Sequence, residues 1–212
     1  MAEDKDRLIF NFNNPESGKT WVSVNDNVMG GVSEGKFKIT QDKTLFFYGN
    51  LSLQNNGGFA SIRCLPTQLG LKKNDSIYFQ AKGDGREFTM NLYTNNRLTA
   101  FSYRQSFQTK NNEWVELSLP LEKFIATSFG KVIPKAEPIN PSEIESLGFM
   151  IGDKKPGTFQ IGIKDIKANF KTITEVNAPT STHGYYFDRQ AWHHCDPHYV
   201  NYQFDCKNSR PA

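Results

Sequence analysis

The chain has 212 residues, of which 37% are hydrophobic and 13% aromatic, with 17 Phe. That is enough for one β domain of ordinary size with a Phe-rich core, plus a tail. Its 25 basic and 22 acidic residues are spread evenly and leave a net charge of +3, so there is no basic footprint for nucleic acid. No apolar run reaches the roughly 18 residues that a membrane helix needs, and no direct membrane span is expected.

The start, Met1 to Arg7, is charged and leads straight into Leu8, Ile9 and Phe10. It lacks both an apolar secretory segment and an Arg/Ser-rich, acid-poor presequence. Either no cleavable signal exists or it lies outside this sequence. Next comes Trp21-Val-Ser-Val-Asn-Asp-Asn-Val-Met-Gly-Gly-Val-Ser33, polar turn residues set between strand residues. Asn and Asp bond the local backbone and glycine takes positive φ, so a structural turn is the plainer reading of Asn25, Asp26, Asn27 and Met29. The sharper reading is a polar loop that contacts a partner.

From residue 43 the period-two alternation of strands takes over. Leu45, Phe47, Leu51 and Leu53 share one face, and Gly49 in that row marks a bulge or a close backbone approach. Asn55 to Gly58 reads as a turn entering a strand in which Phe59, Ser61 and Arg63 oppose Ala60, Ile62 and Cys64. Arg63 in a half-buried strand needs an acidic partner or a ligand anion. Asp26 and Asp84 are the candidates for a salt bridge.

Further rows follow: Ile77, Phe79, Ala81; Phe88, Met90, Leu92; Phe101, Tyr103, Phe107; Val115, Leu117, Leu119; Leu147, Phe149, Ile151; Phe159, Ile161, Ile163. Gly83 to Arg86 is a hairpin turn rather than a phosphate loop, because strand residues and not a helix come after it. Helical periodicity is nearly absent, apart from one turn at Pro141 to Ser146 capped by Asn140. Eight or so one-sided strands imply two packed antiparallel sheets, an all-β sandwich or jelly roll over residues 1–176.

Tyr78, Gln80, Asn91, Tyr93 and Arg104 are expected on outward faces of neighbouring strands. There they would form either a solvated sheet face or a ligand face that stacks aromatics and forks Arg or Asn onto sugar hydroxyls. Trp114 either extends that platform or closes one end of the core. No catalytic constellation emerges: the body has no His, so Ser-His and Cys-His pairs are excluded there, and no carboxylate pair is singled out.

All four His and two of the three Cys fall after residue 182. The segment 177–212 reads as a small polar linker and an irregular, aromatic C-terminal tail. Trp192 and Tyr199 are candidate anchors for a partner. His194, Cys195, His198 and Cys206 admit three readings: a loop-built zinc site, a Cys195–Cys206 disulfide, or free thiols in a docking segment.

Several landmarks occur in order: Trp21 with Val24 to Ser33, Gly49-x-Leu-Ser-Leu53, Asn56 to Arg63, Gly83 to Arg86, Trp114 with Leu119-Pro120, and Ser146 to Lys154. Over roughly residues 8–172 the chain resembles the complex I intermediate-associated protein family (the thirty-kilodalton type). The resemblance implies a galactose-binding-like jelly roll, no catalytic residues and no cofactor. It implies a non-enzymatic assembly factor or retained accessory subunit of mitochondrial respiratory complex I, the NADH:ubiquinone oxidoreductase, on the matrix side of the inner membrane. Its partners would be subunits of that complex or of its assembly intermediates; a bacterial relative would be cytoplasmic. The alternative is a carbohydrate-binding module-like protein with a glycan on its sheet face. In the first reading, Asn25 to Ser33 and Asn55, Asn56, Phe59 and Arg63 face the partner.

Overall fold

The structure, a computed structural model, describes residues 6–95 and 100–169. Thirteen strands occur among them. In chain order they are β1 (Arg7–Phe10), β2 (Trp21–Ser23), β3 (Glu34–Ile39), β4 (Leu45–Leu51), β5 (Ala60–Cys64), β6 (Ser76–Gly83), β7 (Glu87–Thr94), β8 (Phe101–Gln108), β9 (Trp114–Pro120), β10 (Ile125–Ser128), β11 (Lys131–Val132), β12 (Ile144–Ile151) and β13 (Gly157–Asn169). They form two sheets. The six-stranded sheet runs β3-β4-β13-β6-β9, with β1 also on β13; the seven-stranded sheet runs β11-β10-β8-β7-β12-β5-β2. Every pairing between these strands is antiparallel. The fold is the expected antiparallel sandwich.

The alternating rows meet between the sheets. Phe47, Ile77, Phe159, Ile161 and Ile163 from one sheet face Ile62, Phe88, Met90, Leu92, Leu147 and Phe149 from the other, all buried. Aromatic edges join them: Phe79 lies 5.2 Å from Phe107 and 5.5 Å from Phe149, and Phe47 lies 4.9 Å from Phe159. Such edge-to-face pairs add to the stability that area burial supplies. Trp21 caps this network against Phe10, Phe12 and Phe149.

The row of β4 departs from expectation at one end. The strand stops at Leu51, and Leu53 lies beyond it, 43% exposed. Gly49 resolves as a close approach, since a Cβ there would lie 1.8 Å from the Glu34 carbonyl oxygen. Pro141–Glu143 forms the expected short helical turn, of the 3-10 kind, with the Asn140 side chain accepting from the Ser142 N–H. Among the described residues no helix is long and apolar enough to cross a membrane.

Candidate partner-binding site

Asp26 opens a 3-10 turn, Asp26–Met29, and its side chain is buried. Its carboxylate accepts four hydrogen bonds: from Ser33 N (2.9 Å), Ser33 Oγ (2.6 Å), Gly58 N (2.7 Å) and Phe59 N (3.3 Å). Glycine makes room for it. A Cβ on Gly31 would stand 2.3 Å from the Asp26 Cγ, and one on Gly57 would stand 2.5 Å from its Oδ2. The two loops, 25–33 and 54–59, are therefore pinned to one buried charge. Burial alone would raise the Asp26 pKa. The Ser33 hydroxyl and the N–H groups of Gly58, Ser33 and Phe59 outweigh that and hold it below the usual carboxylate value.

This corrects one expectation. Asp26 is buried rather than presented at the surface; it organises the loops around it. Asn25 is half-buried and donates to the Gly35 carbonyl (3.1 Å). Asn27, Asn55 and Asn56 are exposed, as are Val28 (70%), Met29 (59%), Val32 (47%) and Leu53 (43%). Phe59 is half-buried. Ser33 Oγ bonds both the carbonyl (3.1 Å) and the N–H (3.0 Å) of Ser52, which sets Val32 and Leu53 on neighbouring backbones. Val28, Met29 and Val32 fall within the Asn25 to Ser33 stretch that the sequence assigned to a partner; Leu53 lies outside it and was read as part of a core row.

Arg63 pairs with neither Asp26 nor Asp84. Asp84 accepts instead from the N–H groups of Arg86 (3.1 Å) and Gln160 (2.9 Å). The Arg63 guanidinium lies over the Tyr93 ring, 4.6 Å from its centroid, a cation–π contact. Desolvation pushes the Tyr93 phenol up to about 12, against the opposing pull of Arg63.

The expected ligand face does not come together as drawn. Tyr78 lies on β6 in the six-stranded sheet, whereas Asn91, Tyr93 and Arg104 lie on β7 and β8 in the other. Asn91 points outward but is buried, its Oδ1 accepting from Ser102 Oγ (3.2 Å). Arg104 donates to the Gly130 carbonyl (2.5 Å). Trp114 does not close the core. It lies on the outer face of the six-stranded sheet with Lys164 4.5 Å above its ring, lining a cleft of about 250 Å³ with Phe46, Lys82 and Gly162. Trp192, Tyr199, His194, Cys195, His198 and Cys206 lie outside the described residues. Among the described residues no group of three or more His, Cys, Asp or Glu is placed to hold a metal.

A family model described as complex I intermediate-associated protein 30 (CIA30) matches residues 10–163, the span that holds the Asp26 hub and nearly all of both sheets. The chain belongs to the CIA30 family. A mouse relative named "Complex I intermediate-associated protein 30, mitochondrial" is 25% identical over 178 residues, which cover 74% of this chain and 54% of the relative. This CIA30 chain thus spans about half the length of that curated relative. Among solved structures, a family 11 carbohydrate-binding module from the cellulase Lic26A-Cel5E of Clostridium thermocellum has a TM-score of 0.60 at 16% identity, over 79% of this chain and 95% of the module. The Clostridium thermocellum family 11 module in complex with a β-1,3-1,4-mixed-linked tetrasaccharide has a TM-score of 0.58, also at 16% identity, over 77% and 94%. At that identity the likeness shows a shared sandwich fold.

Proposed function

We propose that the chain is a non-enzymatic assembly factor, or a retained accessory subunit, of respiratory complex I. It acts by protein–protein binding on the matrix side of the mitochondrial inner membrane. Membership of the CIA30 family supports the complex, and the name of the mouse relative supports the compartment. The observation that carries the binding mode is the loop end of the sandwich. Val28, Met29, Val32 and Leu53 are exposed on loops that the Asp26 carboxylate ties together. A pinned loop loses little conformational entropy on docking, and a thioether such as that of Met29 adapts to irregular surfaces. Exposed apolar groups gathered in one place mark contact surfaces.

The test is native purification of the tagged chain, then blue-native electrophoresis with mass spectrometry of the bands. The wild type is expected in a large band with complex I subunits. Met29→Asp combined with Val32→Asp is expected to run as a free species with a nearly unchanged melting temperature, since exposed substitutions usually shift stability by less than about 0.5 kcal/mol. A wild-type chain that migrates alone would remove the reading.

A further inference from the structure

One ladder row crosses the outer face of the seven-stranded sheet. It reads Ile125 on β10, Arg104 on β8, Asn91 on β7, Gly148 on β12, Arg63 on β5 and Val22 on β2. Its chemistry is one-sided. The row holds two guanidinium groups and an amide, and no carboxylate. Arg104 has found the Gly130 carbonyl. Arg63 has only the Tyr93 ring: among the described residues it makes no ion pair and no hydrogen bond. Asn91 is 3% exposed, and among the described residues its Nδ2 has no acceptor. A guanidinium carries five N–H donors in a fork that matches a carboxylate, and a buried amide donor without an acceptor is destabilising. Arg63 is therefore the unspent donor group that the row presents, and Gly148 beside it is a close approach of the two strands, since a Cβ there would lie 2.4 Å from the Ile62 carbonyl oxygen.

We infer that this row is a docking strip for an extended acidic segment of the protein partner, with an Asp or Glu carboxylate of that segment seated on Arg63. The inference rests on the protein-binding reading above and names the chemistry of one contact. Two features favour a segment over a free anion. The row spans five strand spacings of about 4.8 Å, about 24 Å in all. Its two ends, Val22 (36% exposed) and Ile125 (53%), are apolar and open, which suits flanking side chains and not a lone ion. The Arg63–Tyr93 stack holds the fork in place beforehand, so less is lost on binding.

The test is a titration of the full chain, ¹⁵N-labelled, with N-acetyl-hexaglutamate, with hexalysine as a charge control and glutarate as a free carboxylate. Hexaglutamate is expected to move the Arg63 Nε–H and Asn91 side-chain signals, and to bind more weakly as salt rises. Arg63→Ala is expected to weaken it tenfold or more. Arg63→Lys, which keeps the charge but loses the fork, is expected to fall between the two. Binding of Arg63→Ala at wild-type strength, signal changes confined to another face, or glutarate as tight as hexaglutamate would each overturn the proposal. None of those results bears on migration with complex I, which the Met29/Val32 variant tests separately.

Discussion

At the scale of single residues, Asp26 shows how a family signature is spent. Its carboxylate ends four donors at once, two of them on a loop 32 and 33 residues away. Asp26→Ala leaves those donors without an acceptor and is expected to cost about 3–5 kcal/mol, a fall in melting temperature of about 2–4 °C for each kcal/mol. The sign with pH follows from the lowered pKa. The contribution is fully present above the unfolded value of 3.8 and is lost as pH falls through the lower folded value. Asp26→Asn should flatten that part of an acid-unfolding curve. The sequence identified the turn and its glycines but not the hub. A turn Asp ordinarily bonds the backbone two residues on, and nothing in a linear reading links it to Gly58. Arg63 was the converse: its need for an acceptor was legible, while its place in a row without one among the described residues required the register of six strands.

At the scale of elements, two joints are open to test. Gly49 sits where β3 and β4 come closest, so Gly49→Ala drives a methyl into the Glu34 carbonyl. The expected cost is about 2–3 kcal/mol, with faster hydrogen exchange along β3 than elsewhere. The second joint ties the β6–β7 hairpin to the β12–β13 turn. Arg86 donates from Nε (3.0 Å) and Nη2 (2.6 Å) to Asp153, and from Nη1 to the Thr158 carbonyl (2.9 Å). Arg86→Ala strands a nearly buried carboxylate and should cost about 3–5 kcal/mol by denaturant melts, with Arg86→Lys only partly restoring it. The long alternating strands, β6 to β9, β12 and β13, were legible because each pays its apolar side chains into one core. β1, β2, β10 and β11 were not, since two to four residues give no period to read. Leu53 was misplaced because alternation predicts a face and not where a strand ends; Trp114 lies on the polar face that alternation gave it, and only the reading that it closes the core fails.

At the scale of the whole molecule, the exposed apolar residues sit on the loops that follow β2 and precede β5, while Arg63 lies within β5, so the Met29/Val32 and Arg63 variants alter different residues of adjoining segments. The order of the six-stranded sheet has another consequence. β13, the last strand among the described residues, sits between β4 and β6 and also carries β1. While the chain is being synthesised, β4 and β6 therefore have no strand to join them, and the backbone edges that they turn to β13 stay unpaired until residue 169 has left the ribosome. Nascent chains stopped near residue 155 should be protease-sensitive throughout and held by chaperones, and release should be followed by a single cooperative collapse. The protein cannot begin to work in halves: β13 must be made before the sandwich that carries its binding surface can close.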